Sequence, residues 1–156
     1  MNHLAQRPTD VEFEYRLTGS GWAECHVAVG NRHVTVTASY TSDALGDLTR
    51  AVLQLKNGAI SARAQFDEEP GEYRWIFHRN TNFCTVQILM FSEFRGNQPD
   101  QVGKLIFYAE CSFDAFLTAF IGALQAVLTR YGIEGYQARW IEYEFPLQDY
   151  QALLKS

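Results

Sequence analysis

The chain has 156 residues, of which 47 % are hydrophobic and 20 % are charged. This composition excludes an intrinsically disordered protein, and the length suits one globular domain whose core needs no disulfide or metal. The formal net charge is −5, and the 13 Lys and Arg residues form no basic run. Because neutralisation of phosphates dominates the affinity for nucleic acid, the composition argues against a nucleic-acid partner.

Nothing in the sequence predicts export or membrane insertion. The first ten residues lack the apolar region of a signal peptide. The longest apolar helical stretch is interrupted by Asp114, Thr118 and Gln125, so that no run approaches the roughly 18 residues that span a bilayer. We therefore predict a cytoplasmic protein without a membrane partner, folded as one domain over residues 1–156, with residues 1–10 and 147–156 peripheral.

The first forty residues show the two-residue periodicity of antiparallel strands. Apolar and polar residues alternate in three runs, at 11–17, 22–29 and 33–40. This alternation is typical of strands with one buried face. Glycine-containing turns separate the runs, and the turn at Gly30 and Asn31 is a hairpin signal.

A helix follows these three strands. Between residues 41 and 57 the spacing of apolar residues becomes helical, at Leu45, Leu48, Val52 and Leu55. Thr41, Ser42 or Asp43 can cap the start of this helix, because a side-chain oxygen there accepts a bond from a free N–H group. Gly58 can supply the left-handed residue that ends it.

Four further alternating runs precede a second helix. The runs lie at 60–66, 72–78, 84–90 and 105–111. Ser112 is a good cap for the long helix that follows, and we expect this helix to end at Gly132.

The order of elements is three strands, a helix, four strands, a helix and a tail. This order predicts an α+β fold rather than a parallel α/β fold. We expect a large, curved, mostly antiparallel sheet of about seven strands, with both helices packed on one face. Cys25, Cys84 and Cys111 fall on apolar strand positions and form no C-x-x-C pair, so we expect three buried thiols rather than a metal site.

Two histidines share the polar face of the predicted first hairpins. With a two-residue loop between the second and third strands, His26 lies opposite Thr35 and His33 opposite Ala28. The two histidines are then diagonal neighbours, about 7–8 Å apart at the backbone. Glu24 lies on the same face, and a Glu-His-His set can bind zinc. Since a solvated or partner-facing surface is the commoner explanation, we predict no metal or other cofactor, with Glu24, His26 and His33 as a weak candidate set.

Acidic residues cluster in a second hairpin around Pro70 and Gly71. The cluster consists of Asp67, Glu68, Glu69 and Glu72, with Arg74 nearby. Paired carboxylates can hydrolyse glycosides, but such chemistry needs one of them in a desolvated pocket. A turn rich in acids instead predicts a solvated loop, or a charged contact with a basic partner.

No motif predicts a nucleophile or a phosphate site. The chain has no G-x-S-x-G elbow, and no glycine-rich loop leads into a helix. Cys25 and His26 are neighbours on a strand, so their side chains point to opposite faces. We therefore favour a protein without catalytic activity.

Aromatic residues on one strand face can meet others from the long helix. They are Tyr73, Trp75, Phe77, Phe107, Phe116 and Phe120. Our first interpretation is a core, because aromatic side chains dominate core burial. The alternative is a cup for a small apolar ligand between sheet and helix, with the small residues of the helix as one wall. That wall would contain Ala115, Ala119, Gly122 and Ala123.

Several segments taken together resemble a group of small uncharacterised bacterial proteins of this length. They are Gly21-Trp22-Ala23-Glu24, the helix start at 42–48, the acidic hairpin at 66–75 and the tail at 132–146. This resemblance spans most of residues 13–146 and implies no particular activity. The size, acidity and α+β order are also similar to those of immunity proteins of bacterial toxin systems, which implies a protein partner.

These observations favour a non-enzymatic, cytosolic protein-binding module, and specifically an immunity-type inhibitor of a basic toxin. One predicted contact is the acidic hairpin with Asp67, Glu68, Glu69, Glu72 and Arg74. A second contact lies on the exposed sheet face, with Trp22, His26 and His33. The alternative function is the binding of a small apolar ligand in the aromatic cup.

Overall fold

The computed structural model describes residues 10–93 and 98–155. Its strands are β1 (Val11–Gly19), β2 (Trp22–Val29), β3 (Arg32–Ser39), β4 (Ser61–Asp67), β5 (Glu72–Asn80), β6 (Phe83–Phe91) and β7 (Lys104–Ser112). Its helices are α1 (Ala44–Lys56), α2 (Phe113–Trp140) and α3 (Leu147–Leu153), and a short 3-10 helix covers Asp100–Val102. The predicted α+β class and order of elements are confirmed. Residues 1–9, predicted as peripheral, lie outside the described residues.

The seven strands form two antiparallel sheets, a division that the alternation of residues did not reveal. The first sheet has the order β1-β2-β3, and the second has the order β4-β5-β6-β7. The predicted register between β2 and β3 is confirmed, with His26 opposite Thr35 and Ala28 opposite His33. The guanidinium of Arg32 donates to the carbonyl of Tyr108 and so connects β3 to β7.

One hydrophobic core joins the inner faces of both sheets to the helices. Its centre is aromatic: the ring of Phe13 in β1 lies 5.9 Å from Trp75 in β5 and 5.1 Å from Phe120 in α2. Aromatic pairs at these separations add to the stability that burial supplies. The three cysteines are free and buried, as predicted.

Helix α1 begins at one of its three predicted caps. The carboxylate of Asp43 accepts a hydrogen bond from the backbone N–H of Gly46 at 3.3 Å. Gly58 follows the helix with a φ of +107°, which is the left-handed conformation expected there.

Helix α2 is longer than predicted. The hydroxyl of Ser112 caps it by accepting from the N–H of Ala115 at 3.2 Å. At Gly132 (φ 71°, ψ 174°) the backbone leaves the helical region, but this is a kink, and the helix resumes and reaches Trp140. The indole of Trp140 is fully buried and donates to the carbonyl of Ser42 at 3.2 Å, which holds the last turns against the body of the protein.

Two glycines of α2 should respond in opposite ways to substitution by alanine. Gly122 is in regular helix with open space where a Cβ would lie, so Gly122→Ala should raise the free energy of unfolding by about 0.5–1 kcal/mol. Gly132→Ala should lower it by about 1–3 kcal/mol, because alanine avoids that backbone conformation. Urea denaturation followed by circular dichroism measures both changes, and a stabilising Gly132→Ala would contradict the kink.

The end of the chain belongs to the core. Tyr150 and Leu153 of α3 are 8 % and 2 % exposed, and the ring of Tyr150 lies 5.9 Å from that of Phe145. The expectation that residues 147–156 are peripheral is therefore wrong for α3, because its apolar side packs inward.

Helix α2 also corrects the expectation about apolar segments. By length and composition alone it could cross a membrane, since Asp114, Thr118 and Gln125 do not lower its hydropathy enough. In the most apolar 18-residue stretch of the helix, only 28 % is buried, although Phe116 and Phe120 are completely enclosed in the core. The helix therefore presents apolar surface outside the core as well as inside it.

Candidate functional site

The acidic hairpin between β4 and β5 is mostly internal, contrary to the predicted solvated contact. Asp67 is 6 % exposed, Glu72 is 1 % exposed and Arg74 is 8 % exposed. Only Glu68 and Glu69, at the tip, reach solvent. The predicted contact therefore loses its three buried members, which hold the fold together instead.

Asp67 ties the hairpin to the turn that precedes α1. Its carboxylate accepts hydrogen bonds from the hydroxyl of Thr41 at 2.9 Å and from the amide of Gln65 at 3.1 Å. Its backbone N–H donates to the hydroxyl of Ser42 at 3.0 Å. These hydrogen bonds offset part of the cost of burying the carboxylate.

Arg74 is the centre of a network on the outer face of the second sheet. Its Nε donates to Oε2 of Glu72 at 2.8 Å, and its Nη1 donates to the carbonyl of Gln98 at 2.5 Å and to Asp100 at 3.0 Å. The guanidinium carbon lies 3.9 Å from the centre of the Phe91 ring. Since Gln98 and Asp100 come from the chain after β6, this network holds that segment over the sheet and covers the part of the outer face around Glu72 and Phe91.

Asp100 also receives a two-pronged contact from a second arginine. Nη2 and Nη1 of Arg63 donate to its two carboxylate oxygens at 2.7 and 3.0 Å. Arg63, and then Arg74, hold the pKa of Asp100 below its ordinary value.

The outer face of the first sheet is open by comparison. His33 is exposed, and Trp22 and His26 are partly exposed, as expected from the alternation. The Nδ1 of His26 lies 2.9 Å from the hydroxyl oxygen of Thr35, and the two imidazole rings are 5.8 Å apart. The structure thus brings the two histidines together at the predicted positions.

The contacts of Glu24 do not favour the weak zinc hypothesis. Its carboxylate accepts from the guanidinium of Arg16 on β1 at 3.0 Å, directly across the β1–β2 pair. Within residues 10–93 and 98–155, no group of three His, Cys, Asp or Glu side chains is placed to hold a metal ion. In the β1–β2 pair Arg16 lies opposite Glu24, and this pairing is the sequence signal that argues against the site.

Tyr73 connects the tip of the hairpin to this open face. Its hydroxyl lies near the side chain of Thr37, which is opposite Glu24 in the β2–β3 pair. Burial, and then the neighbouring Glu68 carboxylate, raise the pKa of Tyr73. The two contacts predicted separately from the sequence are therefore parts of one surface.

We call this surface the acidic face. It consists of Glu12, Glu14, Glu24, Glu68 and Glu69 together with Trp22, His26 and His33. Arg16 neutralises Glu24. Within the described part of the chain, neither Glu12 nor Glu14 has a cation at ion-pair distance, so the face carries negative charge that its own arginines do not balance.

The predicted aromatic cup is filled. Trp75, Phe77, Phe116 and Phe120 have no exposed surface, and neighbouring rings lie 5.7 to 6.3 Å apart. These residues form a core, which was the first interpretation of the sequence.

An open groove runs instead between β1 and α2. Its volume is about 860 Å³. One wall contains Ala119, Gly122 and Ala123 of α2, which belong to the predicted small-residue wall. The other wall is β1 itself, from Val11 to Arg16. Sequence alternation identifies a strand but not its place in the sheet, so it could not show that β1 lies at an edge.

Two of the three buried cysteines, Cys25 and Cys84, are poor nucleophiles. Burial raises the pKa of the Cys25 thiol. Cys84 lies directly opposite Cys111, with the two sulfurs 3.7 Å apart, and this neighbour together with burial raises the pKa of Cys84. Because the thiolate is the reactive form, these two thiols behave as small apolar side chains.

Comparisons with known proteins add little to these observations. No protein-family model and no curated protein matches the chain. Among solved structures, the chain is similar to one described as "CdiA-CT/CdiI toxin and immunity complex from Enterobacter cloacae", with a TM-score of 0.43 and 12 % sequence identity. The alignment covers 74 % of this chain and 98 % of that chain. The predicted membership of a group of small bacterial proteins stays a prediction.

Proposed function

We propose that this protein is a binding module whose acidic face takes up a basic protein. The observation that carries the proposal is the difference between the two sheets. The Arg74 network covers the middle of the outer face of the second sheet, around Glu72 and Phe91, whereas no chain segment of the described residues lies over the outer face of the first sheet. Because Glu12 and Glu14 are exposed and unbalanced on that face, a positively charged partner complements it.

Aromatic side chains on the same face would supply contact energy that charge alone does not. Trp22 is partly exposed beside the charged residues. Tryptophan is among the residue types that most often dominate binding energy at interfaces, because it buries a large area with little loss of side-chain entropy. His26 and His33 extend this contact across β2 and β3.

The finer proposal is an immunity-type inhibitor of a basic toxin in the cytoplasm. An inhibitor of this kind needs a stable fold, an exposed surface and fast association. The net charge of −5 and the acidic face support fast association with a basic partner through electrostatic steering. The size, acidity and order of elements, which are similar to those of immunity proteins, support the same proposal.

Charge reversal on the acidic face tests the proposal. The variant Glu12→Lys/Glu14→Lys should lose a basic protein that the wild type captures from an extract of the source organism, identified by mass spectrometry. The matched control Glu134→Lys/Glu144→Lys changes net charge equally at two exposed residues outside the face and should retain the protein. Capture by the wild type should also fall with added salt, because salt screens exposed charges. Equal capture by both variants, or capture of an acidic protein only, would contradict the proposal.

A further inference from the structure

The edge strand of the first sheet has one side of its backbone turned toward the groove. Both the N–H and the carbonyl of Leu17 bond to the hydroxyl of Tyr131 in α2, at 3.0 and 3.3 Å. The carbonyl of Asp10, in contrast, accepts from Gly30 on the β2 side at 3.0 Å. Since backbone groups alternate along a strand, odd-numbered residues of β1 direct theirs toward α2 and even-numbered residues toward β2.

Within residues 10–93 and 98–155, three residues therefore have backbone groups in the groove that no other residue pairs. They are Val11, Phe13 and Tyr15, whose N–H and carbonyl groups bond to no residue of the described chain. The unpaired stretch ends at Leu17, because the hydroxyl of Tyr131 bonds to both backbone groups of that residue. An unpaired strand edge is a template for another strand, and proteins that expose one usually protect it or use it.

Helix α2 forms a wall suited to the side chains of an added strand. Gly122 and Ala126 are exposed and Ala119 is partly exposed along the groove. Small residues leave room for apolar side chains, and only 28 % of the most apolar 18-residue stretch of this helix is buried. On the opposite side, Glu12 and Glu14 project from β1 to the acidic face.

We propose that the groove takes up an extended segment of the basic partner, which adds antiparallel to β1 as a fourth strand of the first sheet. Side chains that point inward are apolar and rest on Ala119, Gly122 and Ala126. Side chains that point outward are Lys or Arg and pair with Glu12 and Glu14. This inference rests on the proposed function for the charge of the partner, and it adds the binding element and the pattern that is recognised.

A second copy of the chain fits this edge less well. Two copies could pair antiparallel through their β1 strands, with two or more of the free residues of one strand bonded to those of the other. In every such register, a glutamate lies directly opposite a glutamate. Two registers avoid this but join only one pair of free residues. Val11 opposite Val11 places Asp10 opposite Glu12, and Tyr15 opposite Tyr15 requires Leu17, which Tyr131 occupies, for its next bonds. Like charges opposite each other destabilise a strand pair. A segment with basic outward residues meets no such repulsion.

Amide hydrogen exchange tests the proposal residue by residue. The probe is a capped heptapeptide of alternating lysine and valine, added to the full protein labelled with nitrogen-15. When the peptide saturates the protein, hydrogen exchange of the Val11, Phe13 and Tyr15 amides should slow by about tenfold or more. The amides of Glu12 and Glu14 already bond to β2 and should change little. Protection at none of the three odd-numbered amides would overturn the proposal.

Modified peptides separate strand addition from simple charge attraction. Opposite residues of an antiparallel pair share a face, so the valines of the probe carry the backbone groups that bond to β1. N-methylation of the valines should abolish protection, whereas N-methylation of the lysines should preserve it. A peptide of alternating glutamate and valine should bind at least about tenfold more weakly, and equal binding would overturn the basic pattern.

Two variants of the groove complete the test. Gly122→Phe should fill it and reduce affinity for the probe by about tenfold or more, whereas Gly122→Ala should leave affinity unchanged. Slow exchange at Val11, Phe13 and Tyr15 in the free protein, together with a dimeric mass, would assign the edge to a second copy and overturn the proposal. If the groove binds a fluorescent apolar dye but the probe peptide protects none of these amides, the groove is assigned to a small ligand. That result would also overturn the proposal. If the groove tests fail while Glu12→Lys/Glu14→Lys still abolishes capture, the proposed function stands without strand addition.

Discussion

Replacement of Arg74 by methionine should lower the free energy of unfolding by about 3–5 kcal/mol, because it leaves the carboxylate of Glu72 buried without its cation. Glu72 and Arg74 are 1 % and 8 % exposed, and their contact at 2.8 Å is shielded from water by Phe91 and the chain at Gln98. Urea denaturation followed by tryptophan fluorescence measures the change.

Two controls identify the cause of this loss. The double variant Glu72→Leu/Arg74→Met should recover most of the stability, since a buried ion pair can often be replaced by apolar residues without loss. Arg63→Met removes a cation from the same network, but at a side chain that is 53 % exposed, and should cost far less. An equal loss in both single variants would show that burial of the Glu72–Arg74 pair is not decisive.

The pH dependence of Arg74→Met should also differ from that of the wild type. The wild type loses the contribution of Asp100 on acidification: the folded-state pKa of this carboxyl is lowered, so its contribution is present above the unfolded pKa and disappears as pH falls toward the folded value. In Arg74→Met, Asp100 keeps Arg63 but loses Arg74, so the loss of stability on acidification should be smaller than in the wild type. Denaturation curves between about pH 2 and pH 5 distinguish the two trends, because the contribution of Asp100 is lost only below its unfolded pKa of about 3.9.

Phe120→Ala should cost about 3–5 kcal/mol of unfolding free energy, because it opens a cavity in the aromatic core. The ring of Phe120 has no exposed surface and lies between Phe13 and Phe116, at 5.1 and 6.3 Å. Thermal or urea denaturation measures the loss. Benzene should recover part of it, since dry apolar cavities of this kind bind small apolar molecules.

Tyr108→Ala is the matched control for the loss of an aromatic ring. The Tyr108 side chain is 46 % exposed on β7, so its removal should change the free energy of unfolding by only about 0.5 kcal/mol. A similarly small effect of Phe120→Ala would contradict a packed core and would restore the apolar cup as a candidate ligand site.

The candidate site shows where sequence reasoning succeeds and where it stops. Alternation placed Trp22, His26 and His33 on the less buried side of a sheet, because a strand with one face in the core must turn the other outward. The same reasoning treated Glu69 and Glu72 as equivalent members of a loop. Only Glu72 is buried, because Arg74 and a segment from residue 98 onward cover it, and nothing near residue 72 in the sequence signals that cover.

Local pattern by itself determined the elements, the caps at Asp43 and Ser112 and the register between β2 and β3. These features depend on neighbouring residues along the chain, through backbone hydrogen bonds, turns and the alternation of faces. Tertiary structure alone decided the division into two sheets, the exposed edge of β1, the groove beside α2 and the burial of Arg74. Each of these depends on which distant segments meet, since a strand becomes an edge, and a charge becomes buried, only through what packs beside it.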